Sequence, residues 1–146
     1  LEKAKIKGVK IHLPVDVLAG NDFNNNASQK VFDVMEIPEG WEAMDAGPKS
    51  QTIFNDIILS CKTILWNGPM GVFEFSNFAK GTIAAGNSIA EATKAGAFSL
   101  VGGGDSVAAV KQFGFENKMS YISTGGGAML ESLEGKTLPG IAALNK

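Results

Sequence analysis

The chain of 146 residues contains no arginine, and all 13 of its basic residues are lysines. Phosphotransferases usually hold the transferring group with arginine or lysine, so an arginine clamp would have to come from outside this chain. The net charge is −2, and no long basic run is present. This balance argues against nucleic acid or an anionic membrane as a partner.

Cysteine and histidine occur once each. Cys61 lies in an apolar helical pattern, so we interpret it as a core residue of a protein from a reducing compartment and expect a cytoplasmic location. His12 has no carboxylate or cysteine at a metal-ligand spacing, and we interpret it as a strand-surface residue. No apolar run approaches the roughly 20 residues of a membrane span, and no signal peptide is visible. The fingerprints of a Rossmann dinucleotide site and of a serine-hydrolase elbow are also absent.

The composition is that of a folded protein, with 45% hydrophobic and 19% charged residues, and the length fits about one domain. The chain begins without methionine, and its first eight residues have the pattern of the last turns of a helix closed by Gly8. Because a domain rarely starts at the end of a helix, we expect the chain to be a fragment of a longer protein.

The most informative stretch is residues 97–110, where a short apolar run leads into three glycines, an acid, a hydroxyl and an alanine-rich segment. This order predicts a buried strand, a tight turn and a helix start. Glycines let a ligand approach the backbone, and the free amides of a helix start suit a phosphate. Asp105 stands at the expected N-cap, and beside a phosphate its charge would need a metal ion. On this stretch alone, a Mg-nucleotide site and an ordinary capped turn are equally good interpretations.

Strands and helices are predicted to alternate along the chain. We expect strands at 9–15, 31–37, 63–66, 97–101 and 119–123. We expect helices at 48–62, from a Ser76 or Asn77 cap to 95, from the glycine turn to 113, and at 128–133. Short connections between such elements indicate an α/β fold, a parallel sheet with helices on both faces in a Rossmann-like three-layer arrangement.

Three unusual turns are predicted to meet at one edge of this sheet. The units at 97–113 and 119–134 share the order strand, three glycines, helix, and strand 63–66 ends in Asn67-Gly68-Pro69. Right-handed crossovers place the ends of parallel strands at the same carboxyl edge, where ligands bind. Asp16 follows the first predicted strand, at a position where acids often face an active-site crevice.

This edge supplies the parts of a nucleotide site. The amides at 104–106 and 125–127 suit phosphoryl oxygens, and Asp105 is the candidate Mg²⁺ ligand. Asn67 offers a neutral donor, while Pro69 and Met70 offer an apolar surface for a base. Glu74 is either a carboxylate for ribose hydroxyls or a solvated acid before a helix.

Three segments, at 66–74, 102–106 and 123–131, closely resemble phosphoglycerate kinase, and the resemblance runs from residue 13 to residue 140. It implies the glycolytic enzyme that transfers a phosphoryl group between 1,3-bisphosphoglycerate and ADP, giving 3-phosphoglycerate and MgATP, and a monomeric parent protein. The nucleotide and metal contacts that it implies are Ala43, Asn67, Gly68, Pro69, Met70, Glu74, Gly103, Gly104, Asp105 and Ser106.

The resemblance also implies that the amides of Gly104 and Gly127 stabilise the transferring phosphoryl group. Ala43 stands where the family commonly has glycine, so its contact is held less firmly than the others. Ser106 replaces a frequent threonine and keeps the hydroxyl expected at the helix cap.

The resemblance also implies a domain assignment: residues 1–146 are the C-terminal portion of the nucleotide-binding domain of a two-domain kinase. The family's phosphoglycerate-binding arginines belong to an N-terminal domain outside this chain, and its phosphate-binding lysines belong to an earlier part of the nucleotide domain. We therefore expect no turnover by the chain alone. The alternative is a non-catalytic nucleotide-binding or scaffold module.

Overall fold

Six strands form two three-stranded sheets in the computed structural model, which describes residues 1–144. The strands are β1 (Asp16–Gly20), β2 (Gln29–Asp33), β3 (Glu42–Ala46), β4 (Thr63–Trp66), β5 (Phe98–Val101) and β6 (Tyr121–Ile122). The helices are α1 (Glu2–Ile6), α2 (Pro48–Ser60), α3 (Lys80–Lys94), α4 (Gly104–Gln112), α5 (Gly126–Leu133) and α6 (Pro139–Leu144). Short 3₁₀ turns lie at Ser76–Phe78 and Glu116–Lys118. None of the described helices is both long enough and apolar enough to cross a membrane.

The second sheet is parallel, with the strand order β4-β5-β6, and this confirms the predicted α/β class. Its buried face carries Trp66 and Val101. These side chains pack against Ile89 of α3 and Val110 of α4, with Phe115 closing the cluster. The repeated strand–glycine–helix units therefore build one core, and the glycine turns lie at its rim.

The opposite face of the parallel sheet is exposed in the described part of the chain. Paired residues in neighbouring strands point to the same side, so Leu65, Leu100 and Tyr121 share one face. Leu65, Phe98 and Tyr121 are 43%, 50% and 60% exposed. Of the two helix-covered faces that the sequence predicts, residues 1–144 therefore supply one.

The first sheet is antiparallel, with the order β2-β1-β3, and the sequence did not predict it correctly. The strand expected at 9–15 is wrong, because β1 begins only at Asp16. The segment before it keeps its apolar alternation but has no ladder partner among the described residues, and a strand needs one. The strand expected at 31–37 is present as β2, at the edge of the sheet. Strand β3 has no clear alternation and was missed.

Two buried aspartates determine where the long helices begin. Pro48 starts α2, as predicted, and the preceding Gly47 has no side chain to cap it. Asp16 of β1 instead accepts hydrogen bonds from Lys49 N at 3.0 Å and from Ser50 N at 2.7 Å. Burial alone would raise the pKa of the Asp16 carboxyl, but the hydrogen bonds from Ser50 and Lys49 hold that pKa below its ordinary value. Asp16 is thus a buried helix cap and does not face an open crevice.

Helix α3 is capped in the same way from strand β3. Asp45, which is 4% exposed, accepts a hydrogen bond from Gly81 N at 2.8 Å. The predicted cap at Ser76 or Asn77 is wrong, because those residues form a 3₁₀ turn and the helix begins at Lys80 without a capping side chain of its own. A carboxylate 36 residues away in the chain does the capping, and local sequence does not reveal it.

Candidate functional site

The two glycine turns meet at the carboxyl edge of the parallel sheet, as the sequence predicts. A methyl group added at Gly126 would collide with the backbone nitrogen and Cα of Gly103. One added at Gly102 would collide with the end of the Met129 side chain. The backbones of the turns therefore touch directly, which only residues without a Cβ allow.

The turn after β4 joins this pair, because its residues contact the start of α4. The Asn67 side-chain oxygen lies against Gly103, whose φ is +88°. The indole N–H of Trp66 donates to Gly68 O at 2.8 Å. Gly68 N donates to Ser106 Oγ at 2.5 Å. The structure thus brings together Asn67, Gly68, Gly103 and Ser106, four of the predicted site residues.

The caps expected at α4 are corrected by the structure. The helix begins at Gly104, with Gly103 at the N-cap and no side-chain capping bond, so Asp105 is the second helical residue and is exposed. Ser106 is buried, and its oxygen accepts the amide of Gly68 instead of one from its own helix. Helix α4 therefore begins one residue before Asp105. The local sequence does not determine that starting point, because glycine can be the cap or the first residue of the helix.

Three glycines at this edge have open space where a Cβ would stand. Gly104, Gly125 and Gly127 have no atom within 4 Å of an added Cβ, and none of them has a positive φ. They begin α4 and α5, neither of which has a capping side chain among the described residues. The first turns of both helices therefore lack a side-chain cap, and the helix dipole favours an anion at such a start.

A cleft of about 310 Å³ lies between β3 and the segment that follows Gly68. Of the predicted contacts, Ala43, Pro69 and Met70 line it. Further lining residues that the sequence pattern did not single out are Pro14, Val17, Met44, Asp45, Ala46, Phe54, Gly71 and Val72. Apolar walls of this kind suit a flat ring. The sequence pattern gives no signal for these additional lining residues, because nothing in it distinguishes them from ordinary core residues.

Glu74 is exposed in the turn that follows Val72 and is not among the cleft-lining residues. Asp105 is a single exposed carboxylate, and no group of three potential metal-ligating side chains occurs within residues 1–144. This donor set does not form an all-protein metal cage. It does fit Mg²⁺, which needs one or two carboxylates when phosphates supply other ligands.

Asp45 is the one cleft residue with a strongly perturbed pKa. Burial raises the pKa of its carboxyl to about 6, since the hydrogen bonds from Gly81 and Ala46 offset only part of the cost of burying a charge. Its oxygens also lie so close to Gly71 and Gly81 that a Cβ at either position would collide with them. Asp45 therefore connects the cleft wall to the start of α3.

The fold and the site define an α/β protein that presents two glycine-rich helix starts beside an apolar cleft. The family model of phosphoglycerate kinase matches residues 1–136. The chain belongs to the phosphoglycerate kinase family.

Individual relatives agree with this assignment. The chain is 58% identical over 144 residues to the phosphoglycerate kinase of Porphyromonas gingivalis, covering 99% of this chain and 34% of that protein. It is 53% identical to that of Synechococcus, covering 100% of this chain and 35% of that protein. The Coxiella burnetii phosphoglycerate kinase structure matches 92% of the chain and 34% of its own length, at a TM-score of 0.87 and 41% identity. The chain thus spans about a third of the length of these relatives.

We predict that Gly126→Ala forces the two glycine turns apart, because its methyl group would collide with the Gly103 backbone. The free energy of unfolding should fall by about 1–3 kcal/mol, the usual cost of overpacking. Urea denaturation followed by circular dichroism measures it.

The matched control is Gly127→Ala, next in the chain and inside α5, where an added Cβ meets nothing. We expect its unfolding free energy to stay within about 0.5 kcal/mol of the wild type. Equal destabilisation by the two substitutions would show that the contact between the turns is unimportant.

We also predict a pH-dependent effect of Asp45→Asn. The pKa of Asp45 lies near 6 in the folded chain, against 3.8 for an unperturbed aspartate. Between these pH values the folded chain binds more protons, so this carboxyl lowers the free energy of unfolding as pH rises. From pH 4 to pH 7, the unfolding free energy of the variant should gain up to about 3 kcal/mol relative to the wild type.

Urea denaturation at a series of pH values gives this difference directly, and the opposite contribution of Asp16 cancels in the comparison. The control is Asn87→Ala, at an exposed position on α3 that carries no titratable group, so its difference from the wild type should not change with pH. Parallel pH curves for Asp45→Asn and the wild type would contradict the prediction.

Proposed function

We propose that this chain is the C-terminal portion of the nucleotide-binding domain of a phosphoglycerate kinase. The whole enzyme transfers a phosphoryl group between 1,3-bisphosphoglycerate and ADP, giving 3-phosphoglycerate and MgATP in glycolysis. Membership of the family supports this proposal. The single observation that carries the site assignment is the set of open glycines at the starts of α4 and α5.

Those glycines support a phosphate site because protein geometry alone does not require them. Gly104 and Gly127 lie inside their helices, where glycine costs stability relative to alanine because it loses more backbone freedom on folding. Gly104, Gly125 and Gly127 face open space at negative φ, so alanine would fit at each of them in the chain as it stands. A phosphoryl group that approaches the amides closely supplies the missing reason.

In this proposal the amides of Gly104 and Gly127 bind the transferring phosphoryl oxygens, and Gly103 and Ser106 hold the remaining phosphates. Preorganised donors of this kind are worth roughly 3–4 kcal/mol each in catalysis, because they are already aimed where charge develops. Asp105 holds Mg²⁺, which neutralises phosphate charge when it is bound. The exposed position of Asp105 beside the open Gly104 supports that role.

The base and sugar are assigned to the neighbouring cleft. Pro69, Met70 and the backbone of Ala43 form apolar walls for the base. Asn67 and Gly68 lie at the end of β4, between this cleft and the phosphate amides. Glu74 is proposed to bind the ribose hydroxyls. Its exposure leaves the carboxylate available for a ligand.

The acyl-phosphate substrate would bind mainly through a domain outside this chain, because the chain contains no arginine. We propose a cytoplasmic, monomeric parent protein that needs neither nucleic acid nor membrane.

We predict that the 146-residue chain binds MgADP weakly. The phosphate turns and one wall of the base cleft are present, so isothermal titration calorimetry should detect heat at millimolar nucleotide. Asp105→Asn should weaken binding of MgADP and leave binding of metal-free ADP nearly unchanged, because it removes the metal ligand.

Asp56→Asn is the control, since it removes an equal charge from an exposed position on α2. No heat at millimolar MgADP from a chain whose circular dichroism shows an intact fold would refute the nucleotide assignment. Equal weakening by the two variants would refute the role of Asp105.

We further predict that the isolated chain does not turn over. A coupled assay with 3-phosphoglycerate and MgATP should give no activity above background, because the residues that bind the second substrate are absent. The full-length protein assayed in parallel should be active. Substantial turnover by the chain alone would contradict this prediction, and an inactive full-length protein that binds MgADP would favour the non-catalytic alternative.

A further inference from the structure

The segment at 67–72 is irregular backbone, yet three different elements hold it in place. At its start, Gly68 donates to Ser106 of α4. At its end, Val72 N donates to Met44 O of β3 at 2.8 Å. Between these two hydrogen bonds, residues 69–71 run along the cleft, and a third contact fixes their backbone conformation.

That third contact is the hydroxyl of Thr82. Thr82 is the third residue of α3 and is fully buried, with 0% exposure. Its Oγ1 accepts a hydrogen bond from Met70 N at 3.1 Å and a second from Gly71 N at 3.3 Å. One side-chain oxygen thus satisfies two consecutive backbone amides of a segment that has no strand or helix to do so.

Close packing leaves this part of the segment little freedom to adjust. A methyl group at Gly71 would collide with the Asp45 carboxylate and with Phe78 O. Asp45 in turn caps α3 one residue before Thr82. The cleft wall at Met70 is therefore held against the start of α3 by the Asp45 carboxylate and the Thr82 hydroxyl.

We propose that Thr82 is a positioning residue for nucleotide binding, which acts through the backbone of Met70 and Gly71. Its hydroxyl sets the path of the cleft wall, and thereby the fit of the nucleotide between the base cleft and the phosphate amides. This inference rests on the proposed function and extends it to a residue that touches no ligand. Sequence pattern gives no sign of it, since Thr82 lies in an ordinary amphipathic helix.

A positioning role and a purely structural role for Thr82 differ in their effect on nucleotide affinity. Removing the hydroxyl oxygen leaves two amides without their acceptor, which costs stability in either case. Only a positioning role also changes nucleotide affinity in molecules that remain folded. An interaction that serves the bound nucleotide equally in the ground state and the transition state changes KM and leaves kcat unaltered.

The experiment uses the full-length protein with Thr82→Val, which keeps the shape of the side chain and removes the oxygen. We expect KM for MgADP to rise on the order of tenfold, which corresponds to about 1.4 kcal/mol, with kcat within about twofold of the wild type. Thr82→Ser keeps the hydroxyl and should restore KM. If the valine variant does not fold, Thr82→Cys replaces it, because a thiol is a weak acceptor of similar size.

The matched control is Ser88→Ala in the same helix. Ser88 is also buried, but the acceptors within reach of its hydroxyl are Asn55 Oδ1 and Ala84 O, away from the cleft. This variant should lose stability and keep the wild-type KM. An equal rise in KM for Ser88→Ala and Thr82→Val would overturn the inference, as would a wild-type KM for Thr82→Val.

A spectroscopic readout separates this inference from the proposed function. The chain contains two tryptophans, so a Trp41→Phe background leaves Trp66, whose indole donates to Gly68 O, as its only tryptophan. Excitation that tryptophan absorbs and tyrosine does not then isolates its emission. In the full-length protein, the same emission is obtained by subtracting a matched Trp66→Phe spectrum. Thr82→Val should shift this emission, and Ser88→Ala should not. If the wild-type protein does not use MgADP, the proposed function fails; an unchanged Trp66 emission in Thr82→Val overturns the inference independently.

Discussion

The backbone contact between Gly103 and Gly126 is the constraint on which the rest of the site depends. It places the starts of α4 and α5 side by side, so that two sets of helix amides converge on one volume. Because any side chain at Gly126 would prevent this approach, glycine is needed there for packing. The neighbouring glycines at 104, 125 and 127 are not needed for packing and remain available to a ligand.

A second theme is that helix starts are set from a distance. Asp16 and Asp45, both in the antiparallel sheet, cap α2 and α3, and the two carboxyls have opposite pKa shifts. Asp16 receives enough hydrogen bonds to stay ionised, whereas Asp45 bears a larger desolvation cost. The antiparallel sheet therefore orients helices whose apolar side chains pack against the parallel sheet. The stability of each sheet consequently depends on the other.

The parallel sheet could be predicted because its strands, turns and helices each have a strong local pattern. The segment at 63–66 and the helix opened by Pro48 were correct for that reason, and the meeting of the glycine turns follows from strand direction alone. The antiparallel sheet could not be predicted, since strand pairing between β1 and its neighbours depends on non-local partners. The same limitation explains the misplaced caps at Asp105 and Ser76, and the absence of any signal for Thr82.

The exposed face that contains Leu65, Phe98 and Tyr121 has a thermodynamic consequence. Apolar surface that is already hydrated in the folded state adds nothing to the heat capacity change of unfolding, which arises from newly exposed surface. A chain with such a face has a flatter dependence of stability on temperature than a fully covered domain of equal length. It also has a smaller denaturant m-value, because that slope scales with the same area.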